Sequence, residues 1–521
     1  MGGLPEGWRE ACLADLIAPD GIFCDGDWVE SKDQDPDGDV RLVQLADIGD
    51  GKFRDRSNRS LNSDTAQRLR CTFLEPGDVL VARMPDPLGR ACVYPGGSRK
   101  AATVVDVRIL RPGRNGVNPK WLMWAINSPQ VRTQIYRYQT GSTRKRISGN
   151  NLGQVRLLVP PLAEQFRIVE LIEGQLSRLD AGSVLLEAAR LRGAVLQKQL
   201  TKDVIGGRRR AAEEVGDVDD LLSLLDAQVA HMAGKKRWAQ IRDPDAIWTH
   251  ELPSGWRWRT LGSLCVDIQY GTSAKTALKE SEDDVPVIRM GNIQDGRLDL
   301  TDLKYLPSEH VDIEKTSLRD GDLLFNRTNS AELVGKSAVY SERMGAAVYA
   351  SYLIRCRFAE GIEPDWVNAV VNSNFGRRYI ASVVTQQVGQ ANVNSAKMAL
   401  MPIPVPPQSE QHTALKVLRD WEAALARPQL AARVAMKRSK GLRSAILRSA
   451  FSGNLAPQDP SDEPADTLLA RIAAEREAAK PARGTKRAAT RPRKKASAPP
   501  SEPAPAPTSA PSNAVQQEFD L

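Results

Sequence analysis

Pro160-Pro161-Leu162-Ala163-Glu164-Gln165 and Pro406-Pro407-Gln408-Ser409-Glu410-Gln411 are two versions of one junction, 246 positions apart. Each follows a strand-like pattern and precedes a long helical one. Proline ends the first element and suits the first turn of the next, where a missing N–H is harmless. Matching stretches flank both junctions. Leu4-Pro5-Glu6-Gly7-Trp8 answers Leu252-Pro253-Ser254-Gly255-Trp256, and Pro76-Gly77-Asp78-Val79-Leu80-Val81-Ala82-Arg83 answers Asp320-Gly321-Asp322-Leu323-Leu324-Phe325-Asn326-Arg327. Asn118-Pro119-Lys120-Trp121 and Glu363-Pro364-Asp365-Trp366 each open a short helix, and the offset stays between 244 and 248 throughout. One module is used twice.

After each double proline a seven-residue step is mostly apolar. One row holds Ile172, Leu179, Leu186, Gly193 and Leu200, and a parallel row runs from Ile168 to Leu196. The second copy gives Leu418, Leu425, Ala432 and Ile446, with Trp421, Ala435 and Leu442 beside them. Such rows form the seam of packed helices. Gly182 and Pro428 mark places where a bend or break is expected. The copies end alike, in Leu191-Arg192-Gly193-Ala194-Val195-Leu196 and Leu442-Arg443-Ser444-Ala445-Ile446-Leu447.

The expected organisation is therefore α/β (α+β) in class. Two tandem domains, 1–160 and 251–406, are related by a pseudo-two-fold axis. An antiparallel pair of long coiled-coil-like helices, 161–205 and 407–455, separates them. Residues 206–250 read as a linker in which Leu221 to Met232 can form one short amphipathic helix, and 456–480 as a C-terminal helix. From 481 to 521 Pro, Ala, Ser and basic residues dominate, the composition of a disordered basic tail.

Composition narrows the function. The net charge of +8 suits a polyanionic partner, although eight cations and no acid lie between Lys480 and Ser501, so the folded part is less basic. No apolar run reaches the length of a bilayer span and no secretory signal opens the chain, so a cytoplasmic place is expected. Cys12, Cys24, Cys71, Cys92, Cys265 and Cys356 form no C-x-x-C pair, and with His231, His250, His310 and His412 they share no metal-ligand spacing. Gly335-Lys336-Ser337 lacks the glycines of a phosphate-binding loop. There is no dinucleotide fingerprint, and no Asp/Asn-Pro-Pro-aromatic tetrapeptide of the kind that holds a methyltransferase's target base. No catalytic residue, metal site or cofactor is expected in this chain.

These paired motifs, with the closing run Leu442-Arg443-Ser444-Ala445-Ile446-Leu447-Arg448-Ser449-Ala450-Phe451-Ser452-Gly453-Asn454-Leu455, resemble the specificity subunits of Type I restriction–modification enzymes. The likeness spans about residues 4 to 480. The first copy departs from it where Leu200-Thr201-Lys202-Asp203 replaces Phe451-Ser452-Gly453-Asn454, which leaves the end of its helix undefined. The resemblance implies two target-recognition domains, each reading one half of a split site in double-stranded DNA. Two modification subunits would dock around the helices, with Ile172, Leu179, Leu186, Leu418, Trp421, Leu425, Leu442 and Ile446 as candidate docking positions. Restriction subunits would join through them. S-adenosylmethionine, ATP and magnesium are implied for those partners only, in a prokaryotic cytoplasm. The rival readings are a fused methylase or nuclease and a DNA-independent scaffold.

Residue chemistry selects the DNA-contact candidates. Ser142, Thr143, Arg144, Lys145 and Arg146 gather small donors and three cations just before the first junction, set against the plainer reading of a solvated charge run. Gln386, Gln387, Gln390, Asn392 and Asn394 hold the corresponding place in the second copy, and amides of this type pair with adenine. Arg83 and Arg327 end equivalent strands, where a buried ion pair competes with a DNA contact. Asn326, Thr328 and Asn329 surround Arg327, and Arg289 with Asn292 sits at a turn. Trp8, Trp121, Trp256 and Trp366 recur in both copies and are expected in the cores.

Overall fold

The computed structural model describes residues 4–141, 145–209, 218–233, 235–279, 281–330, 332–387 and 390–479. Ser142, Thr143, Arg144 and the basic tail of 481–521 lie outside the described residues.

The strand Val79–Ala82 is buried along its whole length because both its faces are covered. Val79 and Val81 face a core with Trp8 and Trp121, whereas Leu80 and Ala82 face a smaller one with Ile48 and Tyr94. Its sheet runs in the order Ile22–Asp25, Val107–Arg111, Val79–Ala82, Ala91–Val93, all antiparallel. A second sheet has the order Ser60–Leu61, Val40–Val43, Ala101–Thr103, with its last pair parallel. Arg9–Cys12 pairs with Arg156–Val159 and so brings the domain's two ends together.

The second domain repeats these sheets in the same strand order. Cys265–Tyr270, Leu353–Phe358, Leu323–Asn326 and Ser337–Val339 form the larger sheet; Lys304–Leu306, Val285–Ile288 and Val348–Tyr349 form the smaller. Arg257–Thr260 pairs with Pro402–Val405. The repeated Gly-Asp turns have one structural cause. Gly77 and Gly321 adopt positive φ, and the buried carboxylates after them grip an arginine on the neighbouring strand. Arg111 Nε and Nη2 reach Asp78 at 2.7 and 2.8 Å, and Arg357 reaches Asp322 at 2.8 and 2.7 Å.

The junction motif explains itself in the same way. The Trp8 indole N–H donates to Glu164 at 2.9 Å, and Trp256 donates to Glu410 at 2.9 Å. Gln165 accepts from the Asn118 N–H at 2.9 Å and donates to the Pro160 carbonyl at 3.1 Å. Gln411 accepts from the Glu363 N–H at 2.8 Å and donates to the Pro406 carbonyl at 3.1 Å.

Two helices leave these junctions, Leu162–Ile205 with 44 residues and Gln408–Ala450 with 43, each about 65 Å long. Both continue through the positions where a break was expected. Their pairing is antiparallel: Ser183 meets Ser439 at 3.0 Å, and Arg443 bonds Asp180 at 3.1 Å. Each helix buries its two ends in different domains. Ile168, Ile172 and Leu176 join the first core, whereas Val204 and Ile205 join the second; Leu415 lies in the second core and Leu447 and Ala450 in the first.

The presumed linker holds a helix, Val218–Ala233, that is part of the repeat. It packs on the second domain through Leu222, Leu225 and Val229, as Ala465–Ala478 packs on the first through Leu468 and Ile472. Equivalent ion pairs fix the two, Arg257 with Asp219 at 2.9 Å and Arg9 with Asp466 at 2.6 Å.

Burial raises the Glu164 carboxyl above its ordinary value, against the lowering effects of Trp8 and Arg167. The folded state therefore holds that proton more tightly than the unfolded one. Its stabilising contribution is full below the ordinary carboxylate range and is lost as pH rises through the raised value. Trp8→Phe should lower stability by about 1–3 kcal/mol by stranding this carboxylate. Glu164→Gln keeps an acceptor for the indole and should cost less than Trp8→Phe at neutral pH. Thermal melting of both variants checks this; an equal loss in the two would contradict it.

Candidate nucleic-acid interface

In both domains the polar stretch before the junction lies beside the end of the strand that carries Arg83 or Arg327. Thr140 and Arg146 exchange backbone hydrogen bonds at 2.8 and 2.9 Å, and the Ile147 N–H donates to the Arg83 carbonyl at 3.1 Å. In the second domain Thr385–Gln387 pairs with Gln390–Asn392, which pairs in turn with Thr328–Asn329. There the Val393 N–H donates to the Arg327 carbonyl at 2.9 Å. Arg327, Thr328, Asn329, Gln386, Gln387, Gln390 and Asn392, spread over 66 positions of sequence, thus share one small sheet and its edge.

Side-chain placement sorts the candidates. Lys145, Arg146 and Gln390 are exposed. Asn394 is exposed too, but its carbonyl oxygen caps the short helix Ser395–Ala399 by accepting from the Lys397 N–H at 2.8 Å. Asn329 and Asn392 are half-buried, and Asn329 accepts from the Ser330 N–H at 2.8 Å.

Five candidates occupy interior positions or hold structural hydrogen bonds. Asn326 is 1% exposed and Thr328 is buried within its strand pairing. Asn292 is 3% exposed; it accepts from the Arg289 N–H at 2.9 Å and donates to the Asp299 and Asp302 carbonyls. Asp47 does the corresponding work in the first domain, accepting from the Gln44 N–H at 2.8 Å. Arg289 is tied to Asp302 at 3.1 Å. Arg83 bonds the carbonyls of Ile147 and Val105 at 3.0 Å and pairs with Asp25 at 2.6 Å. Arg327 differs: its guanidinium lies over the Tyr270 ring at 4.7 Å and makes no ion pair among the described residues.

The seam rows are largely internal. Ile172 is buried, Leu179 and Ile446 pack against the first core and Leu418 against the second. Leu186 and Leu425 are half-buried, and so is Trp421 beneath the Arg209 guanidinium at 5.9 Å. Of the eight docking candidates only Leu442 is exposed. The uncovered apolar side chains are others: Val184, Leu185 (71% exposed), Leu191, Val195, Leu430 (63%) and Val434. Their signal was present in the sequence as large apolar residues off the seam row.

The two domains also sit on the helices differently. Trp124 is buried beside the first helix pair, with Arg443 over its ring at 5.7 Å. Ala369 holds the equivalent place in the second domain and lines an open cleft of about 670 Å³. Among the described residues no cluster of His, Cys, Asp or Glu is placed to hold a metal ion, and no helix is long and apolar enough to cross a membrane.

This geometry shows a duplicated protein with a polar edge on each domain and a shared helical strut. Residues 253–434 match the family described as the Type I restriction modification DNA specificity domain. The chain is 24% identical over 361 residues to the EcoKI specificity subunit of Escherichia coli (strain K12), covering 67% of this chain and 70% of that protein. It is 22% identical over 382 residues to the StySPI specificity subunit of Salmonella potsdam, covering 70% and 73%. The fold matches a chain of a solved type I R-M system with TM-score 0.62 at 19% identity, covering 87% of this chain and 100% of that one. Residues 253–434 thus carry the specificity domain of Type I restriction–modification enzymes, and the relatives that span about two thirds of the chain are specificity subunits of such enzymes. Those relatives are named specificity subunits, and the methylase, nuclease and scaffold readings are not favoured.

Two measurements separate contact residues from scaffold. Lys145→Ala and Arg146→Ala should each make DNA binding less salt-dependent, by about one unit of the log–log slope, with thermal melting unchanged. Arg83→Ala should instead lower the melting temperature. A loss of melting temperature in the first two variants, or none in the third, would contradict the sorting.

Proposed function

We propose that this chain is the DNA-reading subunit of a Type I restriction–modification complex and that each domain recognises one half of a bipartite site in double-stranded DNA. The equivalent placing of two polar edges beside Arg83 and Arg327 carries this reading. A protein with a two-fold relation between its reading elements addresses two half-sites at a set separation. The exposed groups differ in chemistry, with cations at Lys145 and Arg146 and an amide at Gln390. The half-sites are accordingly unlike.

The helix pair acts as the ruler, since the ends of both helices are locked into both cores. Two modification subunits dock along it. The support is the row of uncovered apolar side chains at Val184, Leu185, Leu191, Val195, Leu430 and Val434, which a single chain leaves in water at a cost. Restriction subunits join through them. S-adenosylmethionine, ATP and magnesium serve those partners, and the assembly works in the cytoplasm.

A matched deletion tests the ruler. Removing 183–189 with the facing 433–439 keeps the seven-residue phase and shortens the strut by roughly 10 Å. Sequencing of methylated sites should then show both half-sites intact with the gap reduced by up to about three base pairs. An unchanged gap would refute the ruler.

A further inference from the structure

Arg83 and Arg327 occupy one position of the repeat, but what faces them has changed. In the first domain Asp25 lies opposite Arg108, and Arg108 opposite Val81, two residues before Arg83. In the second, Tyr270 lies opposite Ile354, and Ile354 opposite Phe325, two residues before Arg327. Tyr270 therefore stands where Asp25 stands. One arginine meets a carboxylate at 2.6 Å, the other an aromatic face at 4.7 Å.

The exchange has a chemical consequence. Arg83 is neutralised and has its nitrogens bonded to backbone carbonyls. Arg327 keeps its charge, its buried Nε has no partner, and its terminal nitrogens make no hydrogen bond among the described residues. The ring beneath it is fixed: the Tyr270 hydroxyl donates to Ser395 Oγ at 3.0 Å and accepts from the Ser395 N–H at 3.0 Å. A guanidinium held over a fixed ring is restricted in orientation, so its fork is presented within a limited range of directions. A phosphate asks only for positive charge nearby, whereas the O6/N7 edge of guanine asks for a fork in a fixed plane.

We infer that Arg327, oriented by Tyr270, reads a guanine in the half-site of the second domain, and that Arg83 has no such role in the first. The inference rests on the proposed DNA-reading function and specifies its chemistry. The domains then discriminate by different means, a stacked arginine fork in one and the cations of Lys145 and Arg146 in the other. Ala391 is buried against this strand and Gln390 is exposed beside it, so the amide edge adjoins the fork.

The test uses the full chain assembled with its modification subunits and a duplex carrying its mapped site. Each guanine of the half-site footprinted by the second domain is replaced in turn by 7-deazaguanine, which lacks the N7 acceptor. One replacement should weaken binding by the wild-type complex about tenfold or more, and the same replacement should have no effect on the Arg327→Ala complex. Tyr270→Asp rebuilds the Asp25–Arg83 arrangement; it should melt as the wild type does and lose the same discrimination. The inference is overturned if Arg327→Ala weakens all duplexes alike with a shallower salt dependence, the mark of a phosphate contact. It is equally overturned if Arg327→Ala lowers melting without altering discrimination, or if no guanine is sensitive. A wild-type complex that binds the duplex with its mapped site no better than an unrelated duplex would defeat the DNA-reading function itself, a result visible before any guanine is replaced or any variant compared.

Discussion

The hydrogen bond from an indole near the start of each domain to a glutamate at the root of each long helix is the constraint on which the architecture depends. Trp8 with Glu164 and Trp256 with Glu410 fix where each helix begins relative to its sheet. The next residue completes the lock. Gln165 and Gln411 hold the last strand's proline carbonyl and the first free N–H of a short helix with one amide. Six residues thus set the end of a strand, the start of the strut and the position of a core helix. Were that corner loose, a long lever would turn a small rotation into a large displacement at the far domain.

The strut is rigid in a second way, because neither half of the chain completes its own domain. The first core needs Leu447, Ala450, Phe451, Leu468 and Ile472, and the second needs Val204, Ile205 and Leu222. Arg476 reaches Asp15 at 3.2 Å across most of the sequence. Each domain is closed by the helix that arrives from the other, so their separation follows from helix length. This interlocking makes a duplicated chain into one body, and a body of set length can measure a gap between half-sites.

The fold class was legible because its causes are local and occur twice. Double prolines, Gly-Asp turns and heptad rows each point to a known backbone geometry, and repetition at one offset removed chance. What was not legible depends on partners far away in sequence. Asn292 looked like an available amide, yet it ties a turn together as its repeat partner Asp47 does, a role that polarity alone does not reveal. The Val218–Ala233 helix was legible as a helix but not as part of the repeat, because Asp219-Asp220-Leu221-Leu222 and Asp466-Thr467-Leu468-Leu469 align only once their places on the two domains are known. The difference between Arg83 and Arg327 was hidden for the same reason, since Asp25 and Tyr270 lie more than fifty positions from the arginines they face.

The central claim is that two unlike readers are held apart by one strut and act independently. Exchange of residues 251–406 for the corresponding domain of a relative with a different recognised site, followed by sequencing of methylated DNA, tests it most directly. The account predicts a hybrid site in which one half is replaced while the other half and the gap are retained. Loss of the first half as well, or a changed gap, would contradict it.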